Sequence, residues 1–216
     1  MYSRVKTICI ALGILFFSLI GCQSTYYTVW EKLGKEKRHL LRDKVSEVQS
    51  EQEKASEEFK DVLTQIKELY GFKGGELEEF YNKLRDDHED CVKRAEGIKK
   101  RIGQVEKIAQ DLFAEWESEV GQIANKNLKA KSKKSLEETK IRYARLKKSM
   151  DKASSSMGPV LAHLNDYVLY LKHNLNAQAI GTLRKEVTRI EISVKELIRD
   201  MENSISEADQ FLKNLK

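Results

Sequence analysis

The sequence predicts an all-α protein, an elongated antiparallel bundle of three to five helices. Three observations support this. Charged residues make up 34% of the 216 positions and proline occurs once; that balance suits long helices or coiled coils better than a sheet domain. Apolar residues recur at alternating spacings of four and three, which makes a narrow seam on a helix. No segment shows a convincing strand pattern. The regular seam also argues against disorder in so polar a chain.

The first seam runs Leu41, Val45, Val48, Ala55, Phe59, Val62, Ile66 and Leu69, with Gln52 its one polar member. Tyr70-Gly71-Phe72-Lys73-Gly74-Gly75 interrupts it. Gly71 suits a left-handed helix terminator, and Glu76, Glu78 and Glu79 suit the positive start of a new helix. The second seam is longer: Leu77, Tyr81, Leu84, His88, Cys91, Ala95, Ile98, Ile102, Val105, Ala109, Leu112 and Trp116. A short glycine turn between two such helices makes an antiparallel hairpin.

The pattern weakens at Asn125-Lys126-Asn127, which reads as a turn or a bend. A third seam follows at Leu136, Thr139, Tyr143, Leu146, Met150, Ala153 and Met157. Ser154-Ser155-Ser156 and Gly158-Pro159 are expected to break it, with Pro159 suited to a first helical position. The next segment carries Leu161, Leu164, Val168, Leu171 and Leu175. At Asn174-Leu175-Asn176 the phase slips, as a kink, a stutter or a short break. It resumes as Leu183, Val187, Ile190, Val194, Leu197, Met201, Ala208, Phe211 and Leu215.

The first 21 residues differ from the rest. Arg4 and Lys6 precede an apolar run from Ile8 to Ile20. That run is shorter than the roughly 20 residues of a bilayer span and has the form of a secretory signal. Leu19-Ile20-Gly21-Cys22 resembles the lipobox of bacterial lipoproteins. The resemblance implies acylation of Cys22, with chains such as palmitate, and cleavage before it. Two or three chains, at about 0.8 kcal/mol per buried CH₂, anchor stably. Gln23 and Ser24, in place of Asp after the cysteine, resemble the outer-membrane sorting pattern of Gram-negative lipoproteins.

The expected organisation is therefore residues 1–21 as a signal, 22–28 as a lipidated tether and 29–216 as a helical bundle facing the periplasm. Cleavage would remove Cys9, Arg4 and Lys6, so the net charge would fall from +5 to +3. Cys91 would then have no intramolecular disulfide partner.

Few residues suggest chemistry. His88 and Cys91 lie one helical turn apart, yet both sit on the seam, so packing is the expectation and no metal site is assigned. The acidic run Asp86-Asp87-His88-Glu89-Asp90 reads as a solvated face. Lys126, Lys129, Lys131, Lys133 and Lys134 open a basic segment. Behind a lipobox, nucleic acid is out of reach; a solvated helix face is the expectation, with anionic lipid, lipopolysaccharide phosphates or an acidic protein as the alternative partners. Tyr170, Lys172, His173, Asn174 and Asn176 form a compositionally unusual stretch. It reads as a cap or hinge, with a contact surface as the alternative. There is no phosphate loop, nucleophile elbow or zinc-protease helix, so no catalytic residue, cofactor or small-molecule substrate is assigned.

Several blocks are more specific than the seams between them. Cys22-Gln23-Ser24, Trp30 to Arg42, Gly71 to Leu84, Phe113-Ala114-Glu115-Trp116-Glu117, Pro159-Val160-Leu161 and Leu169 to Asn176 resemble a bacterial lipoprotein family known only as a domain of unknown function. The resemblance implies an exported, mostly helical protein and supplies no activity. The expected role is a non-enzymatic structural or adaptor rod, touching the membrane through its acyl chains and an envelope protein or itself through its helices. Binding or shaping of an anionic membrane surface is the alternative.

Overall fold

The computed structural model describes residues 37–68 and 77–215. The lipobox, the tether, Leu69 and the glycine turn at Gly71 lie outside them. The chain divides into two compact units, Met1–Leu40 and Leu41–Lys216, and the helical core belongs to the second. Among the described residues there are four helices and no strand: α1 (Lys37–Glu68), α2 (Leu77–Gln122), α3 (Lys126–His173) and α4 (Ala177–Asn214). The 48 residues of α3 run about 70 Å at 1.5 Å per residue.

Cross-helix contacts fix the arrangement. Along α1 and α4, Arg42 meets Leu215, Gln49 meets Asp209 and Lys67 meets Glu191. One number rises as the other falls, so the helices are antiparallel. Between α2 and α3, Trp116 bonds to Ser132, whereas Glu106 pairs with Lys147. Between α3 and α4, Ser156 bonds to Asp200, and the Tyr167 hydroxyl donates to the Leu183 carbonyl. Arg94 of α2 bonds to both Glu51 and Glu58 of α1. Each helix thus has two antiparallel neighbours, the ring of an up-down-up-down bundle.

The seams fill the interior. Leu41, Val45, Val48, Ala55, Phe59, Val62 and Ile66 are buried, as are all nine apolar positions of the last seam from Leu183 to Leu215. Gln52 and Ser204 sit among them as buried polar residues. In the second seam Tyr81, His88, Ala95 and Trp116 are half-buried and the other positions are buried.

The break expected at Ser154–Pro159 does not occur. Helix α3 passes through Pro159 without ending. Proline removes one backbone donor and crowds the preceding turn; it also restricts the residue before it through that residue's Cβ. Gly158 has no Cβ, and the place one would occupy is open. The buried sequence Met150, Ala153, Met157, Val160, Leu164 keeps its phase straight across the proline. Val160 rather than Leu161 is the seam residue, and packing on both sides holds the helix. Leu175, expected on the seam, is 42% exposed, because the chain has already turned there. The slip at residues 174–176 is a true break between α3 and α4.

Candidate functional site

The α2–α3 connection is a tight turn. Helix α2 ends at Gln122, and Asn125 caps α3. The Asn125 Oδ1 accepts from the backbone N–H groups of Asn127 and Leu128 at 3.0 and 3.1 Å, satisfying two donors that the first helical turn leaves open. Lys129 Nζ donates to the Gly121 carbonyl at 2.9 Å, closing the end of α2.

This turn lies at the same end of the bundle as Arg42, in the first turns of α1, and Leu215, the cap of α4, whose carbonyl accepts from Arg42. Phe113, Tyr143 and Phe211 form the last aromatic layer of that end, with ring centroids 5.5 and 6.1 Å from the central tyrosine. Beyond it, among residues 114–142, only Val120, Leu136 and Thr139 are buried. The tip is thus a two-helix hairpin, fastened by the Trp116 Nε1 to Ser132 Oγ bond of 3.1 Å.

Lys126, Lys129, Lys131, Lys133 and Lys134 are all exposed on this tip. No Asp or Glu occurs between Glu119 and Glu137, so the extremity is uniformly basic. Lys134 lies 3.9 Å from Glu138 at its base. Leu128 sits among the lysines at 58% exposure. The five lysines stand exposed along the first turns of α3, spread over more than one face of that helix.

The other predicted surface lies at the opposite end, and its amides serve as caps. Asn174 Nδ2 donates to the Tyr170 carbonyl at 2.8 Å, and the Asn174 backbone N–H donates to the Leu171 carbonyl. Asn176 Oδ1 accepts from the Ala179 N–H at 3.0 Å, starting α4. Lys172 and His173 occupy the last turn of α3, where cations complement the helix dipole. Both are exposed, Tyr170 is half-buried, and Leu169 beside it is 53% exposed.

Cys91 is buried, and burial, followed by the Glu58 and Asp87 charges, pushes its thiol up to about 12. A thiol so protonated is a weak nucleophile and a poor ligand. Among the described residues, no three of His, Cys, Asp or Glu are grouped to hold a metal ion. No described helix is long and apolar enough to cross a membrane.

The model of a family described as a protein of unknown function, DUF2959, matches residues 26–215. The chain belongs to this family. The match spans all four helices of this DUF2959 protein and begins at Tyr26, so the lipobox lies outside it. No curated protein and no solved structure matches the chain.

Sequence reasoning passed over one polar element of this DUF2959 bundle. Asp200 is 4% exposed in the α3–α4 interface. It accepts from Lys152 Nζ at 2.8 Å and Ser156 Oγ at 2.6 Å. Burial pushes its carboxyl up, but the bonds from Lys152 and Ser156 outweigh this and leave it below the ordinary value. On one helix, Asp200 looks like any exposed charge; only the neighbouring helix reveals its partners.

Proposed function

We propose that the protein is a non-enzymatic cell-envelope lipoprotein, an adaptor anchored through acyl chains on Cys22 and directed into the periplasm from the outer membrane. The supporting observation is the common end of the α1 start and the basic α2–α3 tip. Arg42, in the first turns of α1, lies at this end, and a Cys22 anchor 20 residues before it in sequence would tether the bundle from there. Lipid anchorage would then bring the five lysines to a surface of anionic headgroups, where each basic side chain contributes about 1 kcal/mol. The opposite end, with Leu169 and Leu175 exposed beside His173, would face away from the membrane and be free for an envelope partner.

The test is photocrosslinking in living cells from Lys131 and Lys172. Capture of lipid at the first position and of one reproducible envelope protein at the second supports the adaptor. Capture of the same partner at both ends contradicts the polarity of the reading.

The exposure of Leu128 among the lysines favours a second reading, in which the tip itself binds or shapes an anionic surface. An apolar side chain framed by cations suits the headgroup–acyl boundary. The unacylated domain would then bind anionic vesicles at low salt. Binding would fall when the five lysines become glutamine, and absence of binding at low salt removes this reading.

A further inference from the structure

Two glutamines lie inside the bundle on α1. Gln52 and Gln65 are 1% and 5% exposed, the only buried amides among the described residues. The Gln52 Nε2 has no hydrogen-bond partner, and neither has the Nε2 or the Oε1 of Gln65. A buried polar atom without a partner has lost its water and gained no bond. These three atoms regain water whenever α1 leaves its neighbours, so the docked helix alone bears the penalty.

The polar bonds that hold α1 lie at its rim. Arg94 of α2 reaches Glu51 at 3.2 Å and also binds Glu58. Gln49 meets Asp209 of α4 at 2.9 Å, and Lys67 meets Glu191 at 2.8 Å. All of these side chains are partly open to solvent, where water competes for them and salt screens the ion pairs.

The remaining helices are joined more firmly. Asp200, inside the α3–α4 interface, accepts two bonds from α3, and the buried Tyr167 hydroxyl donates to the Leu183 carbonyl. Asn125 and Asn176 cap the helices that follow the two tight turns. Tyr143, His163 and Ser204 each leave one buried atom unpaired, but three of the six such atoms among the described residues belong to α1. A fold opens in units, and the unit with the least compensated contacts opens first.

We propose that residues 41–68 of α1 form a detachable unit, which lifts from the bundle while α2, α3 and α4 stay packed together. Opening bares the apolar positions that α1 covers, and with them Cys91. That thiol is 2% exposed and shares its surroundings with Glu58, Val62 and Gln65 of α1, so it reports the departure of this helix.

The test is hydrogen exchange read by mass spectrometry on the full chain, purified in detergent, beside the rate of Cys91 alkylation followed on its own peptide. Amides of residues 45–66 are expected to exchange together, at least tenfold faster than those of α3 and α4, and Cys91 to react through the same opening. Gln52→Leu and Gln65→Leu should each slow both readouts about tenfold and leave α3 and α4 unchanged. Arg94→Met and higher ionic strength should speed both. The proposal is overturned if α1 is protected in the parent chain as well as α3 and α4 are, or if Cys91 reacts only when those helices exchange. It also fails if either leucine variant speeds exchange of α1, because the amide would then be bonded in the docked helix.

Discussion

Ser156 of α3 donates its hydroxyl to Asp200 of α4 at 2.6 Å, and the same hydroxyl lies 3.0 Å from the Lys152 carbonyl of its own helix. A residue from an expected helix break is therefore the polar fastening between two helices. Lys152 supplies the second bond, from a side chain that is itself 62% exposed.

Asp200→Ala removes a buried acceptor of two bonds, one of them charge-assisted. A destabilisation of about 2 kcal/mol is expected, and Ser156→Ala costs about 1 kcal/mol. Urea unfolding followed by circular dichroism measures both. Lys152→Met should cost less than Asp200→Ala, because it leaves Ser156 bonded to the carboxylate.

Pro159→Ala is expected to stabilise the bundle. The proline sits within α3, where it forgoes a backbone bond, a defect of about 3 kcal/mol in an isolated helix interior. Context reduces this, so a gain of about 1 kcal/mol is the expectation. A loss of stability would show that the proline shapes α3 to fit its neighbours.

Asp87→Asn should raise the melting temperature at pH 7. Burial raises the Asp87 carboxyl above its ordinary 3.8, and Asp86, Asp90 and Asp61 add to this while Lys83 opposes it. An acid with a raised folded pKa binds its proton more tightly when folded. Its favourable contribution is present below 3.8 and is lost as pH rises through the higher folded value. The gain from asparagine should thus grow with pH across that window and shrink in acid.

Tyr143→Phe should be neutral or stabilising by about 1 kcal/mol. The Tyr143 hydroxyl is buried without a partner, while its ring packs against Phe113 and Phe211. Phenylalanine keeps those contacts and removes an unsatisfied group. Thermal unfolding decides it, and a marked loss would mean that the hydroxyl has a bonded role.

The seams were readable because burial repeats locally, and a spacing of three and four survives inspection of one strand of text. Pro159 misled because a local rule was given more weight than that spacing. Met157, Val160 and Leu164 already showed that the phase continued. The two asparagine-bounded turns were visible as weakened pattern, and their caps follow from residue type. Asp200 and Ser156 were not readable, since nothing local marks which charges face a neighbouring helix. Asp86, Glu89 and Asp90 are exposed, the solvated face that their run suggests, and Asp87 is half-buried toward α1. The five lysines were readable as a segment, but their position at the end where α1 begins needed the fold.

The most direct measurement is crosslinking in the cell with a photoreactive residue at Lys131 and, separately, at Lys172. Lipid adducts at Lys131, lost when Cys22 becomes serine, together with one identified envelope protein at Lys172, are expected for a lipid-anchored adaptor. Soluble protein captured at Lys131, with no lipid adduct and no change on removing Cys22, would contradict it.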